Sequence, residues 1–194
     1  MSAARGWLWG PLSPLGLGIA AVTLILDQAH KAWMLYVYDI GAKGTVRVAP
    51  FLDLVLVWNQ GVSYGMLQQR TELGRCILIL FAFAAAIALA LWLARINSRL
   101  TAVCIGLIIG GAIGNAIDRI LYGAVADFFS FHAFGYEWYI FNIADTAIVA
   151  GSWDFCMNRY SGDTKRSQTL LRCEGKPGLT GVSGESWGAS QPPS

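Results

Sequence analysis

The chain reads as an all-α membrane protein: four transmembrane helices, with a small β-containing extracytoplasmic cradle between the first and second spans. Three observations predict this. Hydrophobic residues make up 55% of the 194 positions and charged residues only 13%, against about 25% charge in an average soluble domain. Mean hydropathy is +0.49. Four long apolar runs follow one another, and the acids that interrupt them stand where acids are expensive. A carboxylate near mid-bilayer costs roughly 2.5–3.5 kcal/mol on the mild insertion scale, whereas a Leu or Ile returns about 0.3–0.6 kcal/mol. Many apolar neighbours can offset one acid, but the cost makes function the default reading for such groups.

The lead, residues 1–14, carries Arg5, Trp7, Trp9, Pro11 and Pro14; proline suits a helix start and not its interior. The first span is expected from Leu15 to Tyr38. Its apolar run passes directly into Asp27-Gln28-Ala29-His30-Lys31, unlike the small-residue cleavage site of a secretory signal, so a retained helix is expected. Asp27 and Lys31 share one helix face. An intrahelical ion pair that eases insertion and a role in a site are equally good readings of them.

Between 39 and 72 the chain is less apolar. Thr45-Val46-Arg47-Val48 alternates, and 51–58 is rich in Leu and Val, which predicts short strands at the membrane surface. Asn59-Gln60-Gly61-Val62-Ser63-Tyr64-Gly65 reads first as a turn and second as a platform aiming a side-chain amide at a ligand. The second span, Leu73 to Leu93, lacks an interior polar residue and is expected to face lipid or serve as scaffold. Arg95 to Arg99 is too short to cross a bilayer, so the third span must run antiparallel to the second.

The third span, Leu100 to Arg119, contains Gly106, Gly110, Gly111 and Gly114, which favour close approach of another backbone. Asn115, Asp118 and Arg119 give its end a polar face. Tyr122-Gly123 breaks the helix, and Asp127 follows among Val125, Phe128 and Phe129, which would bury it. Trp138 and Tyr139 fit an interfacial aromatic belt. The fourth span is expected from Trp138 to Met157, with Asn142 and Asp145 on one face near its start and Asp154 near the other end.

The tail, 159–194, holds Lys165, Arg166, Arg172 and Lys176 followed by Gly, Ser and Pro; it is expected to be disordered and cytoplasmic. With Arg5, Arg95 and Arg99 this puts both termini inside and the acids near the outer leaflet. Lys43, Arg47, Arg70 and Arg75 fall on the other side and dissent. The four-span body is therefore expected at 15–158, with its outer cradle at about 39–72. The net charge of +2 and the lack of a basic, aromatic-interleaved face argue against nucleic acid. Cys76, Cys104, Cys156 and Cys173 have neither disulfide nor zinc spacing, and His30 and His132 make a poor metal set, so no metal and no cofactor are expected.

If Asp127 and Asp145 meet, they share one proton and titrate together. One carboxylate can activate water while the other protonates the scissile group, the aspartic-protease arrangement. A proton-coupled small membrane carrier would also place acids and amides in mid-membrane. The residues alone leave these two readings level.

Four ordered blocks carry a resemblance. Asp27-Gln-Ala-His-Lys31, Asn59-Gln-Gly-Val-Ser-Tyr-Gly65, Gly110-Gly-Ala-Ile-Gly-Asn-Ala-Ile-Asp-Arg119 with Gly123-Ala-Val-Ala-Asp-Phe128, and Phe141-Asn-Ile-Ala-Asp145 resemble those of the bacterial lipoprotein signal peptidases (signal peptidase II). The likeness covers about Leu15 to Met157. It implies an inner-membrane aspartyl endopeptidase that cuts prolipoprotein signal peptides before a diacylglyceryl-modified cysteine, reached laterally through membrane lipid, and that globomycin-type antibiotics block. It implies that Asp127 and Asp145 are the catalytic pair. It assigns substrate-binding or supporting roles to Asp27, Lys31, Asn59, Gly61, Asn115, Asp118, Arg119, Asn142 and Ala144. Asp118, though more prominent in the glycine-rich block, would support and not hydrolyse. Ala126 stands where the family often has a β-branched residue, which should alter packing only.

Overall fold

A computed structural model describes residues 9–61, 72–133 and 136–153. Helix α1, Ser13–Ala32, starts on Pro14 in its first turn and continues as a π-helical turn, Trp33–Val37. A four-residue helix, α2 (Ile40–Lys43), leads to strands β1 (Val46–Ala49) and β2 (Leu52–Asn59). Helices α3 (Glu72–Leu93) and α4 (Arg99–Tyr122) follow, then β3 (Val125–Ala133) and β4 (Tyr136–Phe141). A last helix, α5, is described over 143–153. Val62 to Gly65, Asp154 and the basic tail lie outside the described residues.

The four strands form one antiparallel sheet in the order β1-β2-β3-β4. This corrects the expected cradle, because half of the sheet comes from between α4 and α5 and not from between the first two spans. It also corrects the fourth span, whose first residues, 138–141, are strand. A short apolar run beside a helix has no period that separates strand from helix, and Phe128-Phe129 and Tyr139-Ile140-Phe141 are such runs. Each of β2 and β4 carries one extra residue relative to β3, between Leu54 and Val57 and opposite Ser130/His132; bulges of this kind bend a strand and re-aim side chains.

Helix α4 is the axis of the packing. Ser98 caps its start, accepting the Thr101 N–H at 3.4 Å, and Gly123 ends it at φ +78°, the left-handed cap that glycine adopts without cost. Its buried stripe includes Ala102, Ile105, Ile109, Asn115 and Asp118. On one side it meets α1: a methyl carbon on Gly110 would lie 2.5 Å from the Ala20 carbonyl oxygen. On the other it meets α5: a methyl on Gly111 would lie 2.5 Å from the Ala144 carbonyl oxygen. One apolar core joins Ala20, Leu93, Ala102, Ile105 and Ile109; a second, under the sheet, joins Met34, Ile40, Ala126 and Phe128.

Helices α3 and α4 are each long and apolar enough to cross a bilayer. Helix α3 buries only Ala86 and Leu93 and exposes Ile77, Leu80, Phe81 and Ile87. In water that face would be costly, and lipid suits it. Cys76 is exposed on α3 and Cys104 is buried in α4.

Candidate active site

The site grows from the start of α5. The Asn142 carbonyl accepts the Thr146 N–H at 3.2 Å, so Asn142 is the N-cap. Its side-chain oxygen accepts the Asp145 N–H at 2.9 Å, and the Asp145 carboxylate accepts the Asn142 N–H at 3.3 Å. This reciprocal pair is a capping box, and it fixes the Asp145 side chain by helix-start chemistry alone. A further orphan donor of this first turn, the Ala144 N–H, goes to Asp27 Oδ1 on α1 at 3.0 Å. The positive end of α5 thus faces two carboxylates, as the helix dipole favours.

Asn142 also reaches β3. Its Nδ2 donates to Asp127 Oδ1 at 2.6 Å and to Asn115 Oδ1 at 3.3 Å. Asp127 and Asp145, distant in sequence, therefore hang on one residue. Asp145 receives a second bond, from Asn115 Nδ2 at 2.8 Å. Asp127 receives its second from Asn59 Nδ2 at 3.1 Å, and the Asn59 oxygen accepts the Gly61 N–H at 3.0 Å. Burial pushes the Asp127 carboxyl up, and the charge of Asp145 adds to this; the Asn59 and Asn142 amides and Lys31 pull it back, leaving it at about 7.

Behind the pair lies a buried charge cluster. Lys31 Nζ stands 2.8 Å from Asp27 Oδ2 and 2.7 Å from Asp118 Oδ2 and donates to Asn115 Oδ1 at 3.3 Å. Lys31 is 2% exposed and both acids 0%. Gln28 Nε2 joins the same acids, at 3.2 Å to Asp27 and 3.0 Å to Asp118. Asp118 also accepts the Ala126 N–H at 3.2 Å, tying α4 to the strand residue before Asp127. Arg119 closes the front, donating to the Asn115 carbonyl at 3.1 Å and the Gly61 carbonyl at 3.2 Å.

All eleven residues singled out in the sequence are thus joined in one polar network. Asp27 and Lys31 do form an intrahelical pair, but Asp118 and Ala144 share it, so it clamps three helices. Two members escaped the sequence reading. Gln28 lies between Asp27 and Lys31, and an uncharged amide there carries no cost in the sequence that marks it for a site. Tyr139, expected in an interfacial belt, instead lines the site: its hydroxyl accepts from Asn59 Nδ2 at 2.7 Å.

The network opens on a cleft of about 750 Å³ whose wall includes Asn59, Asn115, Arg119, Tyr139 and Asp145, continuing into Ile148, Val149 and Trp153 of α5. Asp145 is partly exposed there, while Asp127 sits behind at 1% exposure. One end of the cleft can hydrogen-bond a peptide, and the other is apolar enough for an acyl chain.

Comparisons with known proteins place the chain in a family. The model of the family Peptidase_A8, described as signal peptidase (SPase) II, matches residues 19–159. The lipoprotein signal peptidase of Methylobacterium sp. (strain 4-46) is 57% identical over 137 residues, covering 71% of this chain and 83% of that protein. That of Nitrobacter hamburgensis (strain DSM 10229 / NCIMB 13809 / X14) is 54% identical over 146 residues, covering 72% and 89%. A solved structure described as a bacterial membrane enzyme, obtained by the in meso method at 2.3 Å resolution, superposes with a TM-score of 0.68 at 28% identity, covering 78% of this chain and 90% of its own. With most of its length matched by the family model and half or more of its aligned residues shared with such relatives, the chain belongs to the signal peptidase II family of aspartic peptidases.

Proposed function

We propose that Asp127 and Asp145 are the water-activating pair of this peptidase and that the cleft beside them receives a lipidated precursor. The observation that carries the proposal is the bridging of both carboxylates by Asn142 at the cleft wall. The family supplies the reaction: the chain is a lipoprotein signal peptidase, a bacterial inner-membrane enzyme that removes signal peptides from prolipoproteins.

The pair holds one proton between two acids. The ionised member takes a proton from water as the water oxygen attacks the scissile carbonyl carbon. The protonated member gives its proton to the carbonyl oxygen. Collapse of the tetrahedral intermediate breaks the C–N bond as the leaving nitrogen gains a proton. The scissile bond lies before a diacylglyceryl-modified cysteine, whose acyl chains run along Ile148, Val149 and Trp153. Each buried methylene adds about 0.8 kcal/mol to staying in lipid, so a site open to the bilayer spares the substrate that cost. Globomycin-type peptides occupy the same cleft and block the pair.

The remaining residues hold this machinery. Asp27, Lys31 and Asp118 fix the start of α5 and the strand before Asp127. Asn115 and Asn142 orient Asp145, Ala144 ties the first turn of α5 to Asp27, and Asn59, Gly61 and Arg119 shape the peptide end. The body spans the membrane four times within 15–158, through α1, α3, α4 and α5, with residues 1–14 and 159–194 cytoplasmic. Support comes from Arg95 in the α3–α4 link and Arg99 at the first position of α4. That link lies at the end where α1 begins, since Leu93 and Ala102 flank Gly16, and basic links stay inside. At the opposite end Trp33, Tyr36, Trp58 and Tyr122 are exposed, as an outer aromatic belt would be. Cleavage of a diacylglyceryl-modified precursor by Asp127→Asn or Asp145→Asn at the wild-type rate would refute the assignment, whereas solute flux across vesicles without a peptide product would indicate a carrier.

A further inference from the structure

Asn59 uses its whole amide. Its oxygen accepts the Gly61 N–H, one hydrogen of its nitrogen goes to Asp127 Oδ2, and the other goes to the Tyr139 hydroxyl oxygen. A flipped amide would set its oxygen against the Asp127 carboxylate and its nitrogen against the Gly61 N–H. Three partners therefore admit one orientation. They also come from different places. Asn59 ends β2, Asp127 is on β3, and Tyr139 comes from β4, at the bulge opposite Ser130/His132. The 2.7 Å contact to Tyr139 is shorter than the 3.1 Å contact to Asp127. The phenol also stands in the cleft wall with Arg119 and Asp145.

We propose that Tyr139 is a positioning residue for the hydrolytic reaction: by accepting one hydrogen of Asn59 it commits the other to Asp127 Oδ2 and holds that carboxylate toward its partner. The inference rests on the Asp127–Asp145 reading and deepens it. Tyr139 acts through Asn59 and not on the substrate. Its removal should therefore lower turnover and leave substrate binding nearly unchanged. It should also loosen the Asn59 bond that favours the ionised carboxylate, so the proton is held to higher pH.

The test is a double-mutant cycle on the full-length enzyme in detergent with a diacylglyceryl-modified precursor. It compares wild type, Tyr139→Phe, Asn59→Ala and the double variant across pH 5 to 9. Tyr139→Phe keeps the ring and removes only the oxygen. It is expected to lower kcat about tenfold or somewhat less, about one hydrogen bond's worth, to leave KM within about twofold, and to move the alkaline limb upward. In the Asn59→Ala background the same change should do nothing further. Wild-type behaviour of Tyr139→Phe, or an equal second loss in the Asn59→Ala background, would overturn the proposal. If Asn59→Ala cleaves too slowly to measure, the limb of Tyr139→Phe decides, and an unmoved limb overturns it. Asp127→Asn and Asp145→Asn run alongside: if both are inactive and Tyr139→Phe is normal, only the Tyr139 role falls. If either cleaves normally, the dyad falls and this role with it.

Discussion

Lys31 faces two carboxylates in a place water does not reach. Deleting one partner of such a cluster leaves uncompensated buried charge, at a cost of about 3–5 kcal/mol. Lys31→Met should therefore lower the unfolding midpoint sharply in a detergent-solubilised thermal melt, more than a change at an exposed cation such as Arg47, which is 76% exposed beside Asp53. Asp127 offers a different handle. Its carboxyl is raised to about 7, so it keeps its proton below that pH and loses it above. A pair that needs one proton then loses kcat/KM on the alkaline side of about 7. Asn59 donates to the ionised form and holds the value down. Asn59→Ala should shift that alkaline limb to higher pH while lowering the plateau, measured as a pH–rate profile. An unshifted limb would mean that Asn59 does not act on Asp127.

At the scale of elements, the site exists because α4 lets two helices approach it. Gly111 touches the Ala144 carbonyl in the first turn of α5, and backbone cannot yield as a side chain tip can. Gly111→Ala should push that turn away, costing about 1–3 kcal/mol and most of the activity, whereas Gly18→Ala, with open space around it, should cost neither. Spacings on single helices were legible in the sequence. Asp27 and Lys31 are one turn apart and do pair, and the glycines of α4 do sit at its contacts. Asn142 and Asp145 also meet, although as a capping box and not as two residues on one helix face. The sheet was only half legible. The alternation of Thr45 to Val48 predicts a strand, and β1 covers Val46–Ala49, but β3 and β4 are short apolar runs beside helices. Tyr139 was lost with them, because an aromatic at a span's edge resembles an interfacial anchor. The sharing of Lys31 by Asp27 and Asp118 depends on how α1 crosses α4, which no spacing along one chain specifies.

Across the whole molecule, the exposed apolar face of α3 suits lipid, and the proposed orientation sets the polar network toward the outer surface. Periplasmic and cytoplasmic reporter fusions should read 1–14, 95–99 and 159–194 as inside and the 39–72 segment as outside. A reporter active outside at 95–99 would reverse the orientation. The central claim is that two acids from different elements share one catalytic proton at a lipid-facing cleft. Its most direct test is cleavage of a diacylglyceryl-modified precursor by purified wild type, Asp127→Asn and Asp145→Asn, each checked for intact folding. The account predicts product from the wild type alone, and wild-type cleavage by either variant would contradict it.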